Sequence, residues 1–235
     1  MRCMMRLSLS LTAVVALSVV QTASAQDWVE FSSRQDRFTI TFPAQPAVSA
    51  TTYKTASGSV LPARLYQAAS GQSKYSVLVA DFNNIEAIAA EKAKACPPGA
   101  ETCSGGRNAG SATGVGYWKA DLAGAVTYAT WQFFLRDAKV TYMGWNSADL
   151  VEGHMLSITN NDQSRTSAAV YMHENKLFIL EGTVPAGFPD PGFFQQSVGW
   201  LDENGAGIRY QTLYHNGFAK PTATRGTPDQ AGPAR

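Results

Sequence analysis

The stretch Ser167-Ala-Ala-Val-Tyr-Met-His173-Glu174-Asn175-Lys176-Leu-Phe-Ile-Leu-Glu-Gly-Thr-Val184 decides the fold. Two runs of strand character flank Glu174-Asn175 at hairpin spacing, and asparagine tolerates the left-handed backbone of a tight turn. A long hairpin is predicted, and the same character extends outward on both sides. Upstream, Lys139 to Trp145 and His154 to Thr159 read as further strands. Near the other end, Phe38-Thr-Ile-Thr-Phe42 alternates large apolar residues with threonine, so Phe38, Ile40 and Phe42 share one face of a half-buried strand that Pro43 stops. Val48 to Thr55, Val60 to Ala69 and Lys74 to Phe82 follow, punctuated by Ser57-Gly58 and Ser70-Gly71, which predicts an antiparallel meander. Val126 to Leu135 carries Tyr128, Trp131, Phe133 and Phe134 on both faces and reads as a central strand covered on two sides.

Two helices are predicted. Asn83 or Asn84 caps the first, where Ile85, Ile88 and Ala89 recur at helical spacing while Glu86, Glu91 and Lys92 fall elsewhere. The second runs from Asp190 to Asn204. Asp190-Pro191 supplies its N-cap and first position, Gly205 its stop, and Phe194, Val198 and Leu201 its apolar face, with Gln195, Asp202 and Glu203 toward water. Cys103 to Gly116 reads as a glycine-rich loop, and Ala219 to Arg235, without apolar periodicity, as a disordered tail. The chain between is expected to form one domain over residues 26–218.

The address comes from the first 25 residues. Arg2 and Arg6, the apolar run Leu7 to Val20, and Ala23-Ser24-Ala25 occur in the order of a secretory signal peptide, with cleavage after Ala25. A periplasmic or secreted location follows, and no later segment has the roughly 18 to 20 apolar residues of a transmembrane helix. Cleavage removes Cys3 and leaves Cys96 and Cys103 in an oxidising compartment, where an even count implies pairing. Three readings of Cys96-Pro-Pro-Gly-Ala-Glu-Thr-Cys103 compete: a structural disulfide, a redox centre and half a metal site. The disulfide is preferred, because a redox pair wants Cys-x-x-Cys opening a helix and zinc wants a tighter cysteine pair with histidine nearby. Removing Arg2 and Arg6 from the 19 basic residues leaves 17 against 18 acidic ones, a balance that favours neither nucleic acid nor an anionic membrane.

The order of these elements carries a resemblance. Phe38-Thr-Ile-Thr-Phe42-Pro43, Val79-Ala-Asp-Phe82 before a helix, the hairpin ending at Pro185, and Phe193-Phe-Gln-Gln-Ser-Val-Gly-Trp200-Leu-Asp-Glu-Asn-Gly205 together resemble the Mog1/PsbP-like superfamily from about Asp27 to Tyr210. The resemblance implies an α+β fold, an antiparallel β-sheet sandwiched between helices as an α/β/α sandwich. It also implies an accessory, binding or assembly factor rather than an enzyme. No catalytic residues and no cofactor come with it. Asp27-Trp28-Val-Glu-Phe31-Ser-Ser33 is similar to the start of other exported bacterial proteins.

The residues themselves add little chemistry. Gly114-x-Gly116 lacks the third glycine of a dinucleotide loop and the following Lys-Ser/Thr of a P-loop. There is no Gly-x-Ser-x-Gly elbow. His154, His173 and His215 are widely separated, belong to no His-Glu-x-x-His helix and read as surface or hairpin residues. Among the tryptophans, Trp131 and Trp200 are expected in the core. Tyr117 and Trp118, after the glycine-rich loop, are the candidate binding surface. Two classes stand: a non-catalytic exported module meeting an envelope protein or a small ligand, and a hydrolase-like envelope enzyme with a dispersed site, for which His154, Asp149 and Glu152 are the best cluster. A pocket of converging titratable groups would favour the second, and a shallow aromatic patch the first.

Overall fold

A computed structural model describes residues 28–95, 117–217 and 221–225. The predicted hairpin is its centre. Strands β8 (Arg165–His173) and β9 (Lys176–Val184) pair antiparallel from Arg165 opposite Val184 to His173 opposite Lys176. Glu174 and Asn175 between them have φ of 47° and 57°, both positive, as the two-residue turn that matches strand twist requires. β9 pairs with β5 (Ser73–Asp81), the last strand of a meander with β3 (Ala47–Lys54) and β4 (Val60–Ser70). β8 pairs with β7 (Val151–Asn160), and β7 with β6 (Ala138–Ala148). The result is a seven-stranded antiparallel sheet of order β3-β4-β5-β9-β8-β7-β6.

Both faces of this sheet are covered, which follows from the period of two along its central strands. Tyr75, Val77, Val79, Tyr171, Phe178 and Leu180 point one way. They pack against Phe38, Ile40 and Phe42 of β2 (Phe38–Phe42), each with no exposed surface. β2 belongs to a second sheet of order β1-β2-β10-β11-β12, made of β1 (Val29–Ser33), β10 (Gly199–Leu201), β11 (Gly207–Tyr210) and β12 (Ala223–Arg225). Ala80, Ala168, Val170, Met172 and Leu177 point the other way, toward α1 (Ile85–Lys94), α2 (Tyr117–Ala123) and α3 (Ala125–Phe134). A single turn, α4 (Gly192–Gln196), joins the small sheet on the first face. The α+β class and the antiparallel sheet between layers are as expected, but one layer is mainly the second sheet rather than helices.

Polar pins tie the layers together. Asp36, fully buried after β1, accepts Arg64 Nε at 2.6 Å, a second bond from the Arg64 guanidinium and the Tyr66 hydroxyl at 2.6 Å, with Lys176 Nζ at 3.2 Å. This joins the small sheet to β4 and β9. On the helical side Asp121 of α2 accepts the Thr55 and Ser57 hydroxyls, each at 2.5 Å, and the Ser57 N–H at 3.0 Å, holding α2 on the β3–β4 turn.

Four expectations are corrected. Val126 to Leu135 is a helix, because Ala125, Ala129 and Phe133 recur every four residues as its buried side and the apolar period is 3.6, not two. Trp131 on its far side is 55% exposed and not core, whereas Trp200 is buried. The helix from Asp190 stops after one turn at Gln196, and the chain re-enters a sheet at β10. Phe194, Val198 and Leu201 are buried all the same, but Gln195 is buried too. Gly205, with φ +82°, serves the β10–β11 turn instead of a helix end. Lastly, Ala223–Arg225, inside the segment expected to be disordered, pairs with Ile208 to Tyr210 as β12. Among the described residues no helix is long and apolar enough to cross a membrane.

Candidate functional site

A cavity of about 230 Å³ lies where the C-terminal segment crosses β7 under the helices. Gly153, His154 and Glu152 of β7 and Met172 of β8 meet Leu122, Ala123, Val126 and Thr127 from α2 and α3. Tyr214, His215 and Asn216 close it from the chain's end. That last segment is held by backbone: the Tyr214 N–H donates to Leu150 O at 2.7 Å, and the Glu152 N–H to Tyr214 O at 3.2 Å. Gly153 is the one residue that fits its place, since a Cβ there would come within 2.2 Å of Val170 O and 2.4 Å of the Tyr171 ring.

Within the cavity the polar groups form two units. Glu152 is held on both oxygens, by Trp145 Nε1 at 2.9 Å and by His215 Nδ1. His154 meets the Thr130 hydroxyl through Nδ1 at 2.9 Å, and Thr130 is buried in α3. Burial pushes the His154 imidazole below its ordinary value of 6.5, against a smaller opposing pull from Glu152, so the ring is neutral at neutral pH. The structure thus brings His154 and Glu152 together and adds His215, which sequence separation hid. Asp149 lies elsewhere: its φ is 44° and its carboxylate faces Arg209 at 3.5 Å. Burial raises its pKa, with Arg209 pulling the other way. Among the described residues no serine or cysteine lines the cavity. Among the described residues no group of three or more His, Cys, Asp or Glu is placed to hold a metal ion.

Beside the cavity the surface turns aromatic. Trp131 and Phe134 of α3 stack with centroids 6.1 Å apart and planes 20° from parallel. On β6, Trp145 stands opposite His154, and Met143 opposite Leu156. Cross-strand partners share a face, and Leu156 belongs to the helix-side core, so Met143 and Trp145 lie on the same side of the sheet as α3. Trp131, Phe134, Leu135, Met143 and Trp145 are each 42% exposed or more, whereas Tyr142, opposite Ser157, is exposed on the other side of the sheet. β6 is an edge strand, so nothing on its outer side covers them among the described residues.

The other sequence-predicted residues fall away from this face or outside the description. Trp118 is half-buried against the helix-side core, with Lys119 Nζ 5.4 Å from its ring centre. Tyr117 opens α2, and its side chain lies outside the described residues, as do Cys96 and Cys103. His173 is not a surface residue. It is buried between the sheets, its Nε2 2.7 Å from the Tyr210 hydroxyl and its ring 4.6 Å from that of Trp200. Glu174 beside it pairs with Arg37 at 2.5 Å.

No protein-family model matches the chain, and neither does any curated protein. Among solved structures it is similar to the solution structure of cyanobacterial PsbP (CyanoP) from Synechocystis sp. PCC 6803, at 15% identity and a TM-score of 0.37. That likeness covers 79% of this chain and 99% of the other.

Proposed function

We propose that this chain is an exported, non-catalytic accessory or binding module of the bacterial cell envelope, and that it meets its partner through the α3–β6 face. The observation that supports this most is the concentration of exposed Trp131, Phe134, Leu135, Met143 and Trp145 on adjoining elements. A contiguous exposed apolar patch is costly to leave in water unless something covers it part of the time. The signal peptide ending at Ala25 delivers one domain to the periplasm or medium, and Cys96–Cys103 closes there as a structural disulfide. A Cys96–Cys103 staple predicts no free thiol in the exported protein, and mass spectrometry finding both cysteines alkylated before reduction would exclude it.

The alternative, a hydrolase-like envelope enzyme, draws on the Glu152–His215 pair, in which a carboxylate orients an imidazole. Among the described residues the cavity offers it no serine or cysteine nucleophile. Affinity capture from an envelope extract separates the two. Wild-type protein is expected to retain a defined partner that a Trp131→Ser, Trp145→Ser double variant loses while its melting curve is kept. Equal capture by both proteins overturns the assignment of this face, and turnover of an ester or amide panel that Glu152→Gln abolishes would establish the enzyme.

A further inference from the structure

We propose that the cavity under α2 and α3 is a binding site for a small uncharged single-ring molecule bearing a hydroxyl group. The size sets the first limit. A cavity of about 230 Å³ exceeds the roughly 150 Å³ that accepts benzene in an engineered protein core, but falls below the roughly 300 to 1,000 Å³ of drug-sized sites. One ring with one polar substituent fills it.

The lining sets the second limit. Leu122, Val126, Met172 and Tyr214 offer apolar surface for a ring. His154 is the polar anchor: it lines the cavity, Nδ1 is taken by Thr130, and Nε2 has no hydrogen-bond partner among the described residues. A neutral imidazole with one nitrogen occupied offers the other as a single acceptor or donor, and a hydroxyl answers either tautomer. Charge sets the third limit. The Glu152 carboxylate faces the same space and is held there by Trp145 and His215, so it repels an anion, and those two donors already take up part of its capacity to accept from a cation.

The test uses purified protein without any partner, so its failure leaves the proposed α3–β6 contact untouched. Phenol, toluene and benzoate are titrated while the Met172, Leu122 and Val126 methyl signals are followed by NMR. Saturable shifts are expected with phenol, about tenfold weaker binding with toluene, the usual loss for one unmade hydrogen bond, and none with benzoate. His154→Leu is expected to abolish the preference for phenol over toluene, and Val126→Trp, which fills the space, to abolish both. Shifts that fail to saturate, benzoate binding equal to phenol, or phenol and toluene binding alike to the wild type each overturn the proposal. The wild-type comparison decides the matter even where a variant does not fold.

Discussion

At the scale of single residues, two buried polar groups carry opposite consequences. Asp36 is a carboxylate without exposed surface. Burial works to raise its pKa, but hydrogen bonds from Arg64 and Tyr66 and the charges of Lys176 and Arg64 outweigh burial and hold it below the ordinary 3.8. A group whose folded pKa is depressed contributes stability that is present above its unfolded value and lost as pH falls through the folded one. Asp36→Asn is expected to cost about 3 to 5 kcal/mol at neutral pH, because it leaves Arg64 and Lys176 facing a neutral amide. In urea melts the gap between the proteins should stay constant down to about pH 5 and shrink below the unfolded value of 3.8. A gap of the same size at pH 2.5 would mean that shape, not charge, is what Asp36 supplies. Gln195 is the reverse case: only 2% exposed, with its Nε2 lacking a hydrogen-bond partner among the described residues. An unmet buried donor costs about 1 to 3 kcal/mol, so Gln195→Met, similar in volume, should raise the denaturation midpoint. A lowered midpoint would show that the amide is satisfied after all.

At the scale of elements, α3 is where reading the sequence and folding the chain part company. If Val126 to Leu135 were a strand, Trp131 and Phe133 would share a face and fall together on truncation. As a helix it buries Ala129 and Phe133 and exposes Trp131 and Phe134. Phe133→Ala should therefore cost about 3 to 5 kcal/mol and Trp131→Ala no more than about 0.5 kcal/mol, measured by chemical denaturation. Comparable costs would restore the strand. Several strands were legible because alternation is strict where one face packs, as in Phe38, Ile40 and Phe42 of β2. The Glu174-Asn175 turn was legible because its chemistry is local. α3 was not, since four aromatics in ten residues satisfy a period of two as readily as one of 3.6. The small sheet was largely hidden: β10 and β12 have three residues each and β11 four, too few for any period to show. The same limit hid the candidate site, because His215 reaches Glu152 only once the C-terminal segment has crossed β7.

At the scale of the whole molecule, the two ends of the chain build one layer. β1 and β2 lie near the start of the described residues and β10, β11 and β12 near their end, joined where Gly199 meets Thr39 and Trp200 meets Phe38. Trp200 then seals the face of the large sheet, its ring 5.0 Å from that of Phe178 and its Nε1 donating to Ala148 O at 2.8 Å. The core between the sheets thus closes only when residues far apart in sequence arrive, and the C-terminal segment belongs to the fold. β12 is the outermost part of that closure, with Ile208, Arg209 and Tyr210 paired to Arg225, Thr224 and Ala223. Deleting residues 221–235 removes this pairing and uncovers the backbone of β11. A loss of about 1 to 2 kcal/mol is expected for the two or three hydrogen bonds involved. At about 2 to 4 °C per kcal/mol for a chain of this size, Tm should fall by about 2 to 8 °C in a thermal scan followed by circular dichroism. Pairing in a three-residue strand is easily outweighed by the entropy of ordering it, so the size of the fall measures whether β12 stabilises the sheet or merely rests on it. A change of less than about 1 °C would return the segment to the disordered tail that its composition suggests.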